Sequence, residues 1–169
     1  MRDQLAEDDD EARTQLDDIF ERFEREQPAL ATMVGDTLAE PLDDTAIALG
    51  YFLALTVWLA FEEAHRGAIS QVAPAEVDAT RQLLDLDEEL RRGDADEALD
   101  SDDVIAMEQP ALVEFIHDHL DGALETHADD VDVDDVHRVY RAVVIELLSL
   151  SYAVKQPQGF PLGKAELLA

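Results

Sequence analysis

A chain of 169 residues with 41 acidic against 12 basic side chains and a formal charge of −29 has room for one cored domain. It has no basic patch with which to hold nucleic acid. The absence of cysteine excludes disulfides, thiolate nucleophiles and cysteine-bound metals.

In chain order, the first helix is expected to start near Asp8 to Glu11, with Leu16, Ile19, Phe20 and Phe23 as its apolar stripe. Pro28 interrupts the pattern, so either the helix kinks there or a new one starts with proline in its first position and continues over Leu30, Val34 and Leu38. Pro41 ends that segment. Asp43 or Asp44 can cap the next helix, which runs to about Arg66 and stops at Gly67. Pro74 begins another, carrying Val77, Leu83, Leu84, Leu86 and Leu90 and closing on Arg91-Arg92-Gly93. Asp94 to Asp103 is an acidic connection. The apolar pattern resumes from Ser101 through Val104, Ile105, Leu112, Phe115, Ile116 and Leu120, with Pro110 inside it. His127 to Asp135 forms a second acidic loop, and Val136 to Val154 the last long helix. Residues 155–169, with Pro157, Gly159, Pro161 and Gly163, cannot extend it and are expected as an irregular tail over the body or a neighbour.

Residues 46–61, AIALGYFLALTVWLAF, form an uncharged run. As a helix the run covers about 24 Å, short of a roughly 30 Å hydrocarbon core. Acidic flanks Asp43-Asp44 and Glu62-Glu63 replace an aromatic and basic belt. The centre of a soluble bundle is the expected place for it, with no membrane partner.

Glu26-Gln27-Pro28-Ala29-Leu30 recurs as Glu108-Gln109-Pro110-Ala111-Leu112. Beyond it, Asp43-Asp44 falls on Asp134-Asp135 and Phe52 on Val143. The match suggests a duplicated unit, with repeats over 11–66 and 101–154 and two long helices packed centrally about a pseudo-twofold axis. Arg138, Arg141 and Glu146 make the second long helix amphipathic, so the first is expected to be the more buried.

The strongest candidate for chemistry is a pair of Glu-x-x-His motifs, Glu62/His65 and Glu114/His117. The i, i+3 spacing sets carboxylate and imidazole on one helix face, as in ferritin-like di-metal carboxylate bundles, where two further helices each add a Glu; Glu24 or Glu26 and Glu88 or Glu89 could supply those. Against a metal site, Glu114 and His117 lie on a polar face and His65 closes a helix as a cation would. His117-Asp118-His119 splits its imidazoles between faces. Asp129 to Asp135 lacks the central Gly and terminal Glu of an EF-hand loop and reads as solvated. Ser149 and Ser151 sit in an apolar helix, as packing or back-bonded hydroxyls, and no phosphate loop is present.

Two resemblances complete the reading. Asp outnumbers Glu 24 to 17, and only Lys155 and Lys164 stand beside ten Arg. This composition resembles that of cytosolic proteins of salt-accumulating halophiles, where about 1 M salt shortens the Debye length to roughly 3 Å and screens self-repulsion. Glu40-Pro41-Leu42-Asp43-Asp44 before an apolar helix resembles the Glu-Pro-x-Asp-His region of the helical chaperones that mature molybdoenzymes. The His is missing, the stretch is short, and no family is assigned on it.

The expectation is therefore a single all-α domain, 1–169, a bundle of five or six helices. Its expected role is non-enzymatic: a cytoplasmic protein-interaction or self-associating module, with a protein partner or homodimer and no cofactor. The alternative is the di-metal protein using Glu62, His65, Glu114 and His117.

Overall fold

The computed structural model describes residues 2–93 and 109–154, with side chains from Glu11 onward. Six helices account for nearly all of them: α1 (Arg2–Glu26), α2 (Pro28–Leu38), α3 (Asp44–Ala64), α4 (Pro74–Gly93), α5 (Pro110–Thr126) and α6 (Val133–Ala153). The chain is an all-helical bundle, and no strand occurs among the described residues beyond an isolated bridge between Ile69 and Val154. The connection expected at Asp94 to Asp103, the start of the second repeat and the tail 155–169 lie outside the described residues.

Pro28 starts a new helix rather than kinking an old one. Gln27 stands between α1 and α2 with φ −131° and ψ 62°, outside helical space, and Pro28 takes the first position of α2, where its missing N–H costs nothing. The side chain of Gln27 is buried and paired at both ends: Nε2 donates to the carbonyl of Ser70 at 3.0 Å, and Oε1 accepts from the backbone N–H of Val72 at 2.9 Å. A side-chain amide thus ties the segment entering α4 to the α1–α2 corner. Gln109 precedes Pro110 with nearly the same backbone angles, φ −141° and ψ 63°. The likeness stops there, because α2 has 11 residues and α5 has 17, and internal duplication is not confirmed.

The long helices α3 and α6 run parallel, side by side. They start together through hydrogen bonds joining Asp43 to Asp132 and Asp135, and a Cβ built on Gly50 would fall 3.0 Å from Val139. At the far end Ser70 N–H donates to the carbonyl of Ala153 at 2.9 Å. Gly50 permits the close approach, since any side chain there would meet Val139 and the tip of Leu38. The facing pairs differ by 89 residues, 139 − 50 and equally 132 − 43, rather than by the 91 that the repeat alignment implies.

The expectation about which long helix is central is reversed. Helix α6 has twelve buried residues and α3 eight, so the second is the hub, packed against α2, α3, α4 and α5. Glu146, expected to contribute a polar face, is fully buried. Helix α3 is long and apolar enough, by length and composition, to cross a membrane. Here its Leu53, Ala54, Val57, Trp58 and Phe61 are spent in the core, while Phe52 stays half exposed against Phe115 and His119 of α5. Helix α1 lies over α3 through Phe23, which meets Trp58 at 5.4 Å between ring centroids. Arg22 sits 4.9 Å above the same indole and pairs with Glu62, joining a cation–π contact to an ion pair.

Candidate functional site

The two Glu-x-x-His motifs do not build a metal centre. Glu62 faces α1 and is held by Arg22; His65 caps the end of α3 and packs on Phe61. Glu114 is exposed on α5, and His117 meets the hydroxyl of Tyr140 at 3.4 Å. Among the described residues no three His, Asp or Glu side chains gather closely enough to hold a metal ion. The di-metal alternative on Glu62, His65, Glu114 and His117 fails for this geometric reason: the two motifs serve different contacts. His119 is likewise local, with Nδ1 2.8 Å from the carbonyl of Phe115.

The acidic stretch Asp129 to Asp135 is partly structural. Asp132 caps α6 by accepting from the N–H of Asp134, and Asp135 is buried and accepts from Asp43. Asp43, the aspartate of the chaperone-like motif, caps α3 by accepting from Ala46 N–H. The serines of α6 are packing hydroxyls: Ser151 donates to the carbonyl of Leu147 at 2.9 Å, and Ser149 to Thr80 Oγ1 at 3.3 Å.

Two joined clefts lie where α2, α4 and α6 meet. One, of about 550 Å³, is lined by Pro28, Met33, Val72 and Val77 together with Asp36 and Arg81. The other, of about 340 Å³, shares Met33, Asp36 and Arg81 and adds Glu40, Arg138 and Arg141. Three arginines around one cleft suggest an anion site in so acidic a chain, yet every guanidinium is already matched. Arg81 pairs with Asp78 at 3.4 Å, Arg138 with Asp135 at 3.5 Å and Glu40 at 3.8 Å, and Arg141 with both Asp85 and Glu88. Six carboxylates, including the lining Asp36, surround three cations, so the local field repels anions rather than gathering them. Arg141 thereby clamps α4 to α6, Arg138 reaches Glu40 just past α2, and Arg81 is held within α4.

Glu146 has the most unusual environment. It is 0% exposed, and neither carboxylate oxygen has a hydrogen-bond partner among the described residues. Burial pushes its carboxyl well above the usual carboxylate range, because an unpaired charge cannot be solvated in an apolar core. None of the clefts described opens onto it, and its surroundings among the described residues are those of a core position.

The remaining feature is the outer face of α4. Its inward side, Val77, Thr80 and Leu84, packs towards α2 and α6. The other side presents Leu83, Leu86 and Leu90 at 58%, 53% and 61% exposure, in line with exposed Ala79. Successive steps of four, three and four residues put all four on one stripe. The periodicity of α4 is legible as apolar in sequence, but it holds two stripes, and one helix can turn only one of them inward. Leu83 also borders a shallow groove of about 190 Å³ shared with Tyr152, Ala153, Thr80 and Ser149.

Comparison of the chain with protein-family models, with curated proteins and with solved structures finds no match.

Proposed function

We propose that the protein is a non-enzymatic interaction module of a salt-rich cytoplasm, and that its working surface is the leucine stripe of α4. The observation that carries this reading is three leucines, each more than half exposed, aligned at heptad spacing on one helix. Scattered exposed leucines need no explanation, but a continuous stripe does. Its natural complement is another amphipathic helix, and the simplest such helix is α4 of a second copy of this chain.

The energetics favour a weak association. Recovering the exposed half of each leucine is worth about 1 kcal/mol, so two stripes supply on the order of 6 kcal/mol. Lost rotational and translational freedom costs at least about 4 kcal/mol of that. A charge of −29 on each copy opposes contact in dilute buffer and is screened at molar salt. The module therefore suits reversible assembly under high salt.

Sedimentation equilibrium in 2–3 M KCl tests this. The full chain should show a concentration-dependent dimer that dissociates as salt is lowered, and Leu86→Glu should abolish it with helicity unchanged by circular dichroism. A dimer indifferent to Leu86→Glu, or no association at any concentration even when the stripe is free, would refute the assignment to α4.

A further inference from the structure

Resting on that reading of α4, we propose that residues 155–169 of the same molecule dock on the leucine stripe and compete with self-association. The first argument is position. Helix α6 ends at Ala153, and the bridge between Val154 and Ile69 with the Ser70-to-Ala153 hydrogen bond fixes where the chain leaves it. That point is the edge of the stripe, because Ala153 and Tyr152 share one groove with Ala79 and Leu83.

The second argument is reach. From Thr80 to Leu90 a helix advances about 15 Å. Fifteen residues can extend to roughly 50 Å, so residues 155–169 can cover the stripe without strain.

The third is complementarity. The segment KQPQGFPLGKAELLA holds both lysines of the chain against one Glu, and it carries Phe160, Leu162, Leu167 and Leu168. It combines a local excess of positive charge with apolar side chains, and it leaves α6 beside a helix that bears Glu89 in addition to the Asp85 and Glu88 already paired with Arg141. A second copy of α4 would bring like charges to those acids and another −29 with it. An amphipathic, weakly basic segment of the same chain brings neither. Tethering also gives it an effective concentration that a free molecule lacks.

The chain contains no cysteine, which makes the test clean. In the full chain, Leu86→Cys with Leu162→Cys is compared under oxidation in 2 M KCl with Glu114→Cys and Leu162→Cys, which probes an exposed site on α5. The first pair should close an intramolecular disulfide at least about tenfold faster than the second. In parallel, Phe160→Asp/Leu162→Asp is introduced into the otherwise unaltered chain. If the segment covers the stripe nine-tenths of the time, its release should tighten the dimer about a hundredfold, because both copies must uncover their stripes to pair, and adding Leu86→Glu should remove that gain. Equal crosslinking of the two pairs, crosslinks only between molecules, or an unchanged dimer constant in the Asp variant would overturn the proposal. An unchanged constant with a dimer still sensitive to Leu86→Glu overturns the tail alone and leaves the α4 surface standing. Fast intramolecular crosslinking with no Leu86-sensitive dimer in either chain overturns competition, and the α4 reading with it.

Discussion

Asp43 and Asp135 stand 92 residues apart, and each helps to begin the other's helix. The backbone N–H of Asp43 donates to Asp135 Oδ2 at 2.9 Å, while Asp43 Oδ2 accepts from the N–H of Asp132, the cap of α6, at 3.2 Å. Asp43 Oδ1 meanwhile caps α3 through Ala46 N–H at 2.8 Å. Two parallel helices bring two positive dipole ends together, and the shared carboxylates offset that repulsion.

Asp43→Ala removes acceptors from two N–H groups on different helices and should cost roughly 2 kcal/mol. Asp43→Asn keeps an oxygen in place and should lose less. Asp135→Ala should cost about 1 kcal/mol, because it strands the N–H of Asp43 and gives up a half-exposed pair with Arg138 that is worth little. The two alanine changes share one network, so their combined cost should fall short of the sum. Urea unfolding at fixed KCl measures all four; strict additivity would mean that the two caps act independently.

Glu146 makes stability depend on pH in a direction opposite to that of most carboxylates. Its folded carboxyl titrates well above the ordinary value of 4.5, so above that pH the folded state retains a proton the unfolded state has lost. Stability should be greatest below about pH 4.5 as far as this group is concerned. It should fall as pH rises towards the folded titration, with a limiting slope of about 1.4 kcal/mol per pH unit. Glu146→Leu should stabilise the protein at neutral pH and remove that slope. Glu146→Gln should remove the slope with a smaller gain, since an amide is still buried without partners. Unfolding free energies of the three chains from pH 4.5 to 8 decide it, and parallel profiles would mean that Glu146 finds a partner or water.

Several helix ends were legible in the sequence because their chemistry is local: Pro74 opens a helix, Asp43 caps α3, and Gly67 follows its end at φ +70°, whereas Pro28, readable as a kink or a start, and Pro110, read as lying inside a helical pattern, both prove to open helices. The identity of the hub was not. Charge pattern ranks α3 as more buried than α6, yet α6 buries twelve residues against eight on α3, and Arg138 and Arg141 lie at its rim, where long side chains reach Glu40 just past α2 and acids on α4. A carboxylate at position 146 reads as a surface residue because burying it unpaired is costly. Gln27 gave no signal at all, since its partners, Ser70 and Val72, are backbone groups 43 and 45 residues away. The metal candidate failed on the same point: spacing fixes a helix face, but packing decides what that face meets.

Gly50 should tolerate one methyl and no more. A Cβ there lies 2.7 Å from Leu38 Cδ2 and 3.0 Å and 3.2 Å from the two methyls of Val139. Leu38 can yield, because a small void bounded by Val34, Thr37 and Ala142 adjoins it; Val139 is β-branched and stiff. The helix gain of about 1 kcal/mol for Gly→Ala should roughly cancel the crowding, leaving Gly50→Ala near neutral. Gly50→Leu should cost 2 kcal/mol or more by forcing α3 and α6 apart, about the upper range for overpacking. Thermal melts of the pair check this, and an unaffected Gly50→Leu would contradict the close crossing.

Salt should act on this protein in two opposite directions, and the balance tests whether its charge is adapted to salt. Arg141 on α6 bridges Asp85 and Glu88 on α4, and screening weakens such pairs. Arg141→Met should therefore cost up to about 1 kcal/mol in 0.1 M KCl and little in 3 M. The whole chain should do the reverse, its unfolding midpoint rising steeply over the same range, because 41 acids against 12 bases repel one another more than a few pairs attract. Asp129→Asn/Asp130→Asn, in an exposed turn before α6, isolates that term: it should stabilise the protein in 0.1 M KCl and leave it unchanged in 3 M. If the parent chain is equally stable at both concentrations, the repulsion is already offset within the fold, and the acidic surface needs an explanation other than salt.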